Sequence, residues 1–200
     1  MKVGVVLAIA LCALGTVHVD VDARQISGRW ERGAKIDVWV GPSKERGDDL
    51  ELVERALRVW TAAADGQFTL ARTQNERAAR IRIRFADGDA LLGEASPVND
   101  RTTGFIVQAD IAIASNLPGD RLQQRLVIYL TAMHEMGHAL GLRHSPDFSD
   151  LMYLFRRPED PERYFGAFRA RLRSDRDIGS PQATGLSPND LANFRALYLR

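Results

Sequence analysis

Alternation of hydrophobic and polar positions indicates short strands in the first half of the chain. The strand signals lie at residues 36–40, 68–70, 81–85, 91–95 and 105–115. The last of these is best placed at residues 109–114. Segment 91–95 ends before Pro97, and strands bounded by proline usually lie at sheet edges. We therefore expect about five strands, with residues 91–95 at an edge.

Apolar residues spaced three and four apart predict the helices. They are expected at residues 48–64, at about 121–142, at 162–173, and from Pro188 onward. Asp120 and Ser187 are the expected N-caps of the second and fourth helices, because short polar side chains accept hydrogen bonds from first-turn N–H groups. The last helix carries a predicted buried stripe of Leu191, Phe194, Leu197 and Tyr198.

Composition narrows the class of protein. The 200 residues suit one domain, expected over residues 24–200, and contain no internal repeat. Lys+Arg 27 against Asp+Glu 26 leaves a net charge of +1. Without a global electrostatic field, neither nucleic acid nor an anionic membrane is indicated as a partner.

The N-terminus has the layout of a secretory signal. Met1-Lys2 is a short basic start, and the apolar run that follows, residues 3–17, is short for a stable membrane span. We expect residues 1–23 to be removed after Ala23, giving a secreted or periplasmic protein without a stable membrane span. The alternative is an uncleaved signal anchor.

Cys12 is the only cysteine, and it lies inside this apolar run. The processed protein would therefore have neither disulfides nor thiolate metal ligands. A transition-metal site would have to use histidines and carboxylates.

The candidate chemistry lies in residues 134–144, which read HEMGHALGLRH. On a helix, positions four apart share a face, so His134 and His138 can present their imidazoles to one ion. Glu135 is rotated away from them, so its carboxylate can reach the open side of the metal. Gly141 suits a left-handed turn that ends the helix and allows His144 to reach the same metal.

Three neutral imidazoles and one water make a tetrahedral zinc site with an exchangeable position. Zinc lowers the pKa of its water from about 15.7 to about 7, and Glu135 would act as base and then as acid in peptide-bond hydrolysis. A lone histidine on a helix is usually solvated or part of a core. Here, however, 3 of the 4 histidines occupy the motif, and packing does not explain such clustering.

The pattern HExxHxxGxxH with a downstream methionine resembles the metzincin metallopeptidases. Met152 matches their methionine turn, and His144-Ser145 with residues 151–153 is most similar to the matrixins. Residues 80–86, 92–95 and 186–198 resemble strands and the closing helix of that family. The resemblance implies an α+β fold in which a mixed twisted sheet packs on two long helices plus a C-terminal helix. It also implies that an extended peptide substrate lies beside the sheet edge.

Several features depart from the matrixin pattern. We expect neither a long propeptide nor a cysteine that blocks the zinc, and no histidine remains for a second zinc. Structural Ca2+ would have to use residues 87–89 (Asp-Gly-Asp), which more often form a plain turn. Leu154 stands where matrixins commonly have proline. Residues 155–183 could be a specificity loop or a docking surface, but charge balance favours a solvated face.

We therefore predict a monomeric zinc endopeptidase whose partner is a protein or peptide substrate. His134, His138 and His144 would bind Zn2+, and Glu135 would be the catalytic base. A zinc-stabilised binding module without turnover is the alternative, although such a module has no use for Glu135 beside an open metal position. A maturation peptidase for one partner protein is a narrower version of the same prediction.

Overall fold

The chain forms a five-stranded sheet with helices packed against it. A computed structural model describes residues 28–43, 48–86, 92–115 and 117–198. The strands are β1 (Ala34–Val40), β2 (Phe68–Arg72), β3 (Ile81–Ala86), β4 (Gly93–Asn99) and β5 (Ile106–Ala114). The helices are α1 (Asp49–Ala64), α2 (Arg121–Ala139), α3 (Asp160–Arg169) and α4 (Pro188–Tyr198), with a 3-10 turn at Asp175–Asp177. The predicted α+β class is confirmed.

The sheet is mixed, as predicted, and its strand order is β2-β1-β3-β5-β4. β1 runs parallel to β2 and β3, β3 runs parallel to β5, and β4 is antiparallel to β5. Alternate side chains such as Ile81 and Ile83 are buried. Arg82, between them, forms a bidentate pair with Asp110 of β5 at 2.7 and 2.8 Å. Within the described residues β4 pairs with β5 alone, so its outer edge is unpaired.

Helix α2 lies at the centre of the fold, between the sheet and the C-terminal part of the chain. The Trp60 indole of α1 donates to the carbonyl of Met133 in α2 at 3.1 Å. At the end of α2, the Trp30 indole donates to the carbonyl of Ala139 at 2.9 Å, and the Tyr198 hydroxyl donates to that of Leu140 at 2.8 Å. The last carbonyls of a helix lack partners within it, so these two side chains complete its C-terminus.

Element boundaries differ most from the prediction in β4, α2 and α3. β4 continues through Pro97, which lies opposite Ala109, because an edge strand tolerates a residue without an N–H group. α2 ends at Ala139 rather than 142, and α3 covers Asp160–Arg169 rather than 162–173. The predicted edge position of β4 is confirmed. The predicted N-cap Asp120 is also confirmed, since its carboxylate accepts from the N–H of Gln123 at 2.9 Å.

The segment after α3 is attached to α1 and α2 by three side chains. Arg55 of α1 donates to the carbonyls of Asp175 and Ile178 at 3.2 and 2.8 Å. Arg125 of α2, nearly buried, lies 3.6 Å from the Asp175 carboxylate. The Tyr129 hydroxyl donates to the carbonyl of Thr184 at 2.7 Å. Within residues 155–183, the charged side chain of Asp175 therefore makes an internal contact.

Two predicted features fall outside the described residues. They are the signal peptide, residues 1–23 with Cys12, and the candidate calcium turn at residues 87–89. Both stay predictions. In the part of the chain that the structure covers, every helix is too short or too polar to cross a lipid bilayer.

Candidate metal centre

The three predicted histidine ligands lie together. Nitrogen atoms of His134, His138 and His144 all lie within 4.8 Å of one another. The Nε2 atom of His138 is 3.1 Å from Nε2 of His134 and 3.1 Å from Nε2 of His144. A zinc ion about 2.0–2.1 Å from each of three nitrogens at tetrahedral angles would hold them about 3.3 Å apart. The donor set and its spacing therefore fit zinc.

Two of the imidazoles are oriented by backbone carbonyls. Nδ1 of His134 lies 2.7 Å from the carbonyl of Leu151, and Nδ1 of His138 lies 2.9 Å from that of Leu142. An N–H donated from Nδ1 leaves the Nε2 lone pair for a metal. Burial lowers the pKa of His134 to about 3 and that of His144 to about 4, and it also lowers the pKa of His138. All three rings are thus neutral, as metal ligands must be.

Two glycines shape the end of α2, Gly137 within the helix and Gly141 in the turn that follows it. Gly141 has a φ of 96°, in the left-handed region that the sequence predicts. A Cβ built on Gly141 would lie 2.1 Å from the carbonyl oxygen of Gly28, so both conformation and space require glycine. A Cβ on Gly137 would lie 2.5 Å from Sδ of Met152. The close contact at Gly137 lets Met152, which is almost fully buried, pack directly against α2.

Glu135 is turned towards β4. It is 7% exposed, and a Cβ built on Gly93 would lie 2.7 Å from its Cγ atom. Burial, together with the smaller effect of the nearby charge of Glu94, raises the pKa of Glu135 to about 8. A carboxyl group in this state holds and releases a proton near neutral pH, which suits a general base and acid.

Asp190, which lies in the first turn of α4, was not predicted to take part in the site. Its carboxylate accepts hydrogen bonds from the N–H groups of Leu151 and Met152 at 2.8 and 3.3 Å, and from Ser187 at 2.8 Å. The Ser187 hydroxyl in turn accepts from the N–H of Asp190 at 2.9 Å, which confirms Ser187 as the N-cap. Asp190 therefore fixes the backbone that orients His134. The serine and aspartate spacing is the signal that could have indicated this reciprocal cap.

The segment on both sides of Met152, residues 148–165, contains an aromatic cluster. Its rings, in edge contact with one another, belong to Phe148, Tyr153, Phe155, Tyr164 and Phe165. The Tyr153 hydroxyl donates to the carboxylate of Asp160 at 3.0 Å. This buried carboxylate also accepts hydrogen bonds from the N–H groups of Arg156 and Arg157. Leu154, at the position where the sequence departs from the proline of the matrixin pattern, is exposed. The start of residues 155–183 is therefore ordered by aromatic packing and by Asp160.

Comparison with known proteins agrees with this geometry. A family model described as Matrixin matches residues 40–165. Human matrix metalloproteinase-20 is 34% identical over 122 residues, which cover 56% of this chain and 24% of the human protein. Human matrix metalloproteinase-15 is 31% identical over 132 residues, covering 58% and 19%. Metalloendoproteinase 1 of Glycine max is 26% identical over 173 residues, covering 80% and 54%.

The chain thus spans a quarter or less of the two human relatives and about half of the plant one. The matched range includes all four residues of the metal centre, from His134 to His144, together with Met152. It also includes the sheet from the end of β1 onward. Since the family model matches more than half of the sequence, the chain belongs to the matrixin family.

Proposed function

We propose that this protein is a zinc-dependent endopeptidase. The observation that carries the proposal is the convergence of three Nε2 atoms on one point, with the Glu135 carboxyl on the adjoining β4 side of the same helix. His134, His138 and His144 would hold the ion. Bound zinc would supply Lewis acidity towards the scissile carbonyl and would make water more acidic.

Glu135 and the edge of β4 would supply the remaining functions, which are proton transfer and substrate binding. Glu135 accepts a proton from the attacking water and returns it to the departing amine. Its buried position against Gly93 excludes competing solvent from one side of the carboxyl. The unpaired outer edge of β4 can bind an extended peptide through backbone hydrogen bonds, which supports a protein or peptide as substrate.

Glu135→Gln tests this mechanism. The amide cannot accept a proton, so we expect kcat/KM on a fluorogenic peptide library to fall about 10²–10⁴-fold while bound zinc stays at one equivalent. Glu162→Gln, an exposed position on α3, is the matched control and should cleave normally. A chelator should abolish cleavage by the parent protein. Full activity of the Glu135 variant would remove the mechanism, and a zinc-loaded parent without cleavage would favour the binding module.

We also propose that residues 1–23 direct export and are then removed. The apolar run that begins at Val3, together with the small residue Ala23, supports a signal peptide. Mass spectrometry of protein recovered outside the cytoplasm should show a chain beginning at Arg24. Recovery of only the intact chain, retained in the membrane fraction, would instead support the signal anchor.

A further inference from the structure

His144 differs from the other two imidazoles in how it is held. His134 and His138 lie on α2, and each bonds its Nδ1 to a backbone carbonyl. His144 lies beyond the helix in a loop and is exposed, and among the described residues no protein group bonds its Nδ1. Since a ring without such a bond is oriented by its own backbone, the position of His144 depends on what anchors the adjoining residues.

Ser145 supplies that anchor. Its N–H donates to the carbonyl of Met152 at 2.7 Å, and its hydroxyl donates to Oδ2 of Asp150 at 2.5 Å. The same hydroxyl accepts from the N–H of Asp147 at 3.1 Å. Ser145 is 6% exposed, so its hydroxyl has lost water as an alternative partner. The loop from His144 to Met152 is therefore closed by the side chains of Ser145 and Asp150.

Asp150 connects this loop to α4. Only 1% exposed, it accepts three side-chain hydrogen bonds: one from Ser145, one from the Ser187 hydroxyl at 2.6 Å and one from the Asn189 amide at 2.6 Å. Burial alone would raise the pKa of Asp150, but these three donors hold it below its ordinary value. A buried carboxylate is stable only when its oxygens are bonded in this way, so the three donors are held in place.

We infer that Asp150 is a positioning residue for the third metal ligand, because it ties His144, through Ser145, to the N-terminus of α4. The inference rests on the metal site proposed above, and it concerns zinc affinity rather than the chemical step. In metal sites, outer partners that orient a ligand typically change metal affinity or activity 10- to 100-fold when they are replaced.

Asp150→Asn is the direct test. The amide has the same size, but its nitrogen cannot accept a hydrogen bond, so one donor from Ser145, Ser187 or Asn189 faces another donor. We expect the zinc Kd, measured by chelator competition, to rise about 10- to 100-fold. Asp37→Asn, the same change at an exposed position of β1, should leave the Kd within about twofold, since exposed substitutions usually have small effects.

Two further measurements separate positioning from a purely structural role. Cobalt-loaded protein should show weaker visible d–d absorption in Asp150→Asn than in the parent, because a tetrahedral site that loses its third imidazole gains water. Urea unfolding of the zinc-free proteins gives the change in fold stability separately. A structural role alone would lower that stability and leave both the Kd of folded protein and the cobalt spectrum unchanged.

Asn189→Ala covers the case in which Asp150→Asn fails to fold. Asn189 is exposed on α4 and touches the loop through Asp150, so its loss should raise the zinc Kd about threefold or more. An unchanged Kd in either folded variant overturns the inference while leaving the peptidase proposal intact. Failure of the parent protein to bind one zinc would instead remove the proposed function itself.

Discussion

At the scale of single residues, the metal centre depends on imidazoles that burial keeps neutral. The ordinary pKa of histidine is about 6.5, whereas the pKa of buried His134 is about 3. Between these values the unfolded chain binds a proton at this side chain and the folded chain does not. Through His134, acid therefore favours the unfolded state of the metal-free protein over this range, whereas the raised pKa of Glu135 acts in the opposite sense.

We predict that proton binding linked to His134 lowers the stability of zinc-free protein by about 2 kcal/mol between pH 6.5 and pH 5, seen as the difference between the parent and His134→Gln. Urea unfolding at pH 7 and pH 5 after chelation measures this difference. The variant His134→Gln has no ring to protonate and should lose correspondingly less. Asp48 has a lowered pKa, held there by its hydrogen bond to Arg125 against the effect of burial, and its contribution disappears only below about pH 4. An equal change in stability from pH 7 to pH 5 in the parent and in His134→Gln would contradict the prediction.

At the scale of elements, α4 acts on the metal centre without supplying a ligand. Its first turn contains Asp190, whose carboxylate accepts hydrogen bonds from the backbone N–H groups of Leu151, Met152 and Ser187. The Leu151 carbonyl in turn orients His134. The start of α4 therefore determines how the methionine segment lies against α2.

Asp190→Ala should leave these three N–H groups, two of them buried, without their acceptor. We expect the free energy of unfolding to fall by about 3 kcal/mol, since an unsatisfied buried group costs about 1–3 kcal/mol. Chemical denaturation checks this value. Asn193→Ala, at an exposed position of the same helix, is the control and should change it by less than about 0.5 kcal/mol. A loss for Asp190→Ala as small as that of the control would mean that Asp190 does not hold the segment.

Periodicity in the sequence predicted most of these elements, and the spacing of residues 134–144 predicted which imidazoles would meet. The predicted strand ended at residue 95 because proline ordinarily ends a strand. In the structure β4 continues through Pro97, since an edge strand needs no hydrogen bond from an N–H group on its outer side. Asp150 and Asp190 were not identified. Their roles depend on contacts between residues about 40 positions apart, which local patterns cannot report.

At the scale of the whole molecule, Arg125 joins three separate parts of the chain. Its side chain is 5% exposed and contacts the carboxylates of Asp48, Glu51 and Asp175. Asp48 and Glu51 lie at the start of α1, Arg125 lies on α2, and Asp175 belongs to the segment that follows α3. One buried cation thus holds the two long helices and the C-terminal segment together.

Arg125→Ala should lower the free energy of unfolding by about 2 kcal/mol, because the protein loses a buried cation and its hydrogen bonds to charged partners, while Arg121 still pairs with Asp48. Arg121→Ala is the matched control: Arg121 also pairs with Asp48, at 3.1 Å, but it is 67% exposed and should contribute less than about 1 kcal/mol. Thermal and urea unfolding of both variants measure the contrast. Equal losses would show that burial of Arg125 adds nothing.

The closure of α2 by Trp30 and Tyr198 has a consequence for biosynthesis. The N–H of Trp30 also donates to the Tyr198 hydroxyl at 3.2 Å, across 168 positions of sequence. This contact needs both ends of the domain, and contacts of such long range are slow to form. A ribosome synthesises the N-terminal end first, so Tyr198 is among the last residues to appear. A nascent chain therefore cannot make this contact, or the Asp190 bonds that hold the methionine segment, until its last helix has emerged from the ribosome.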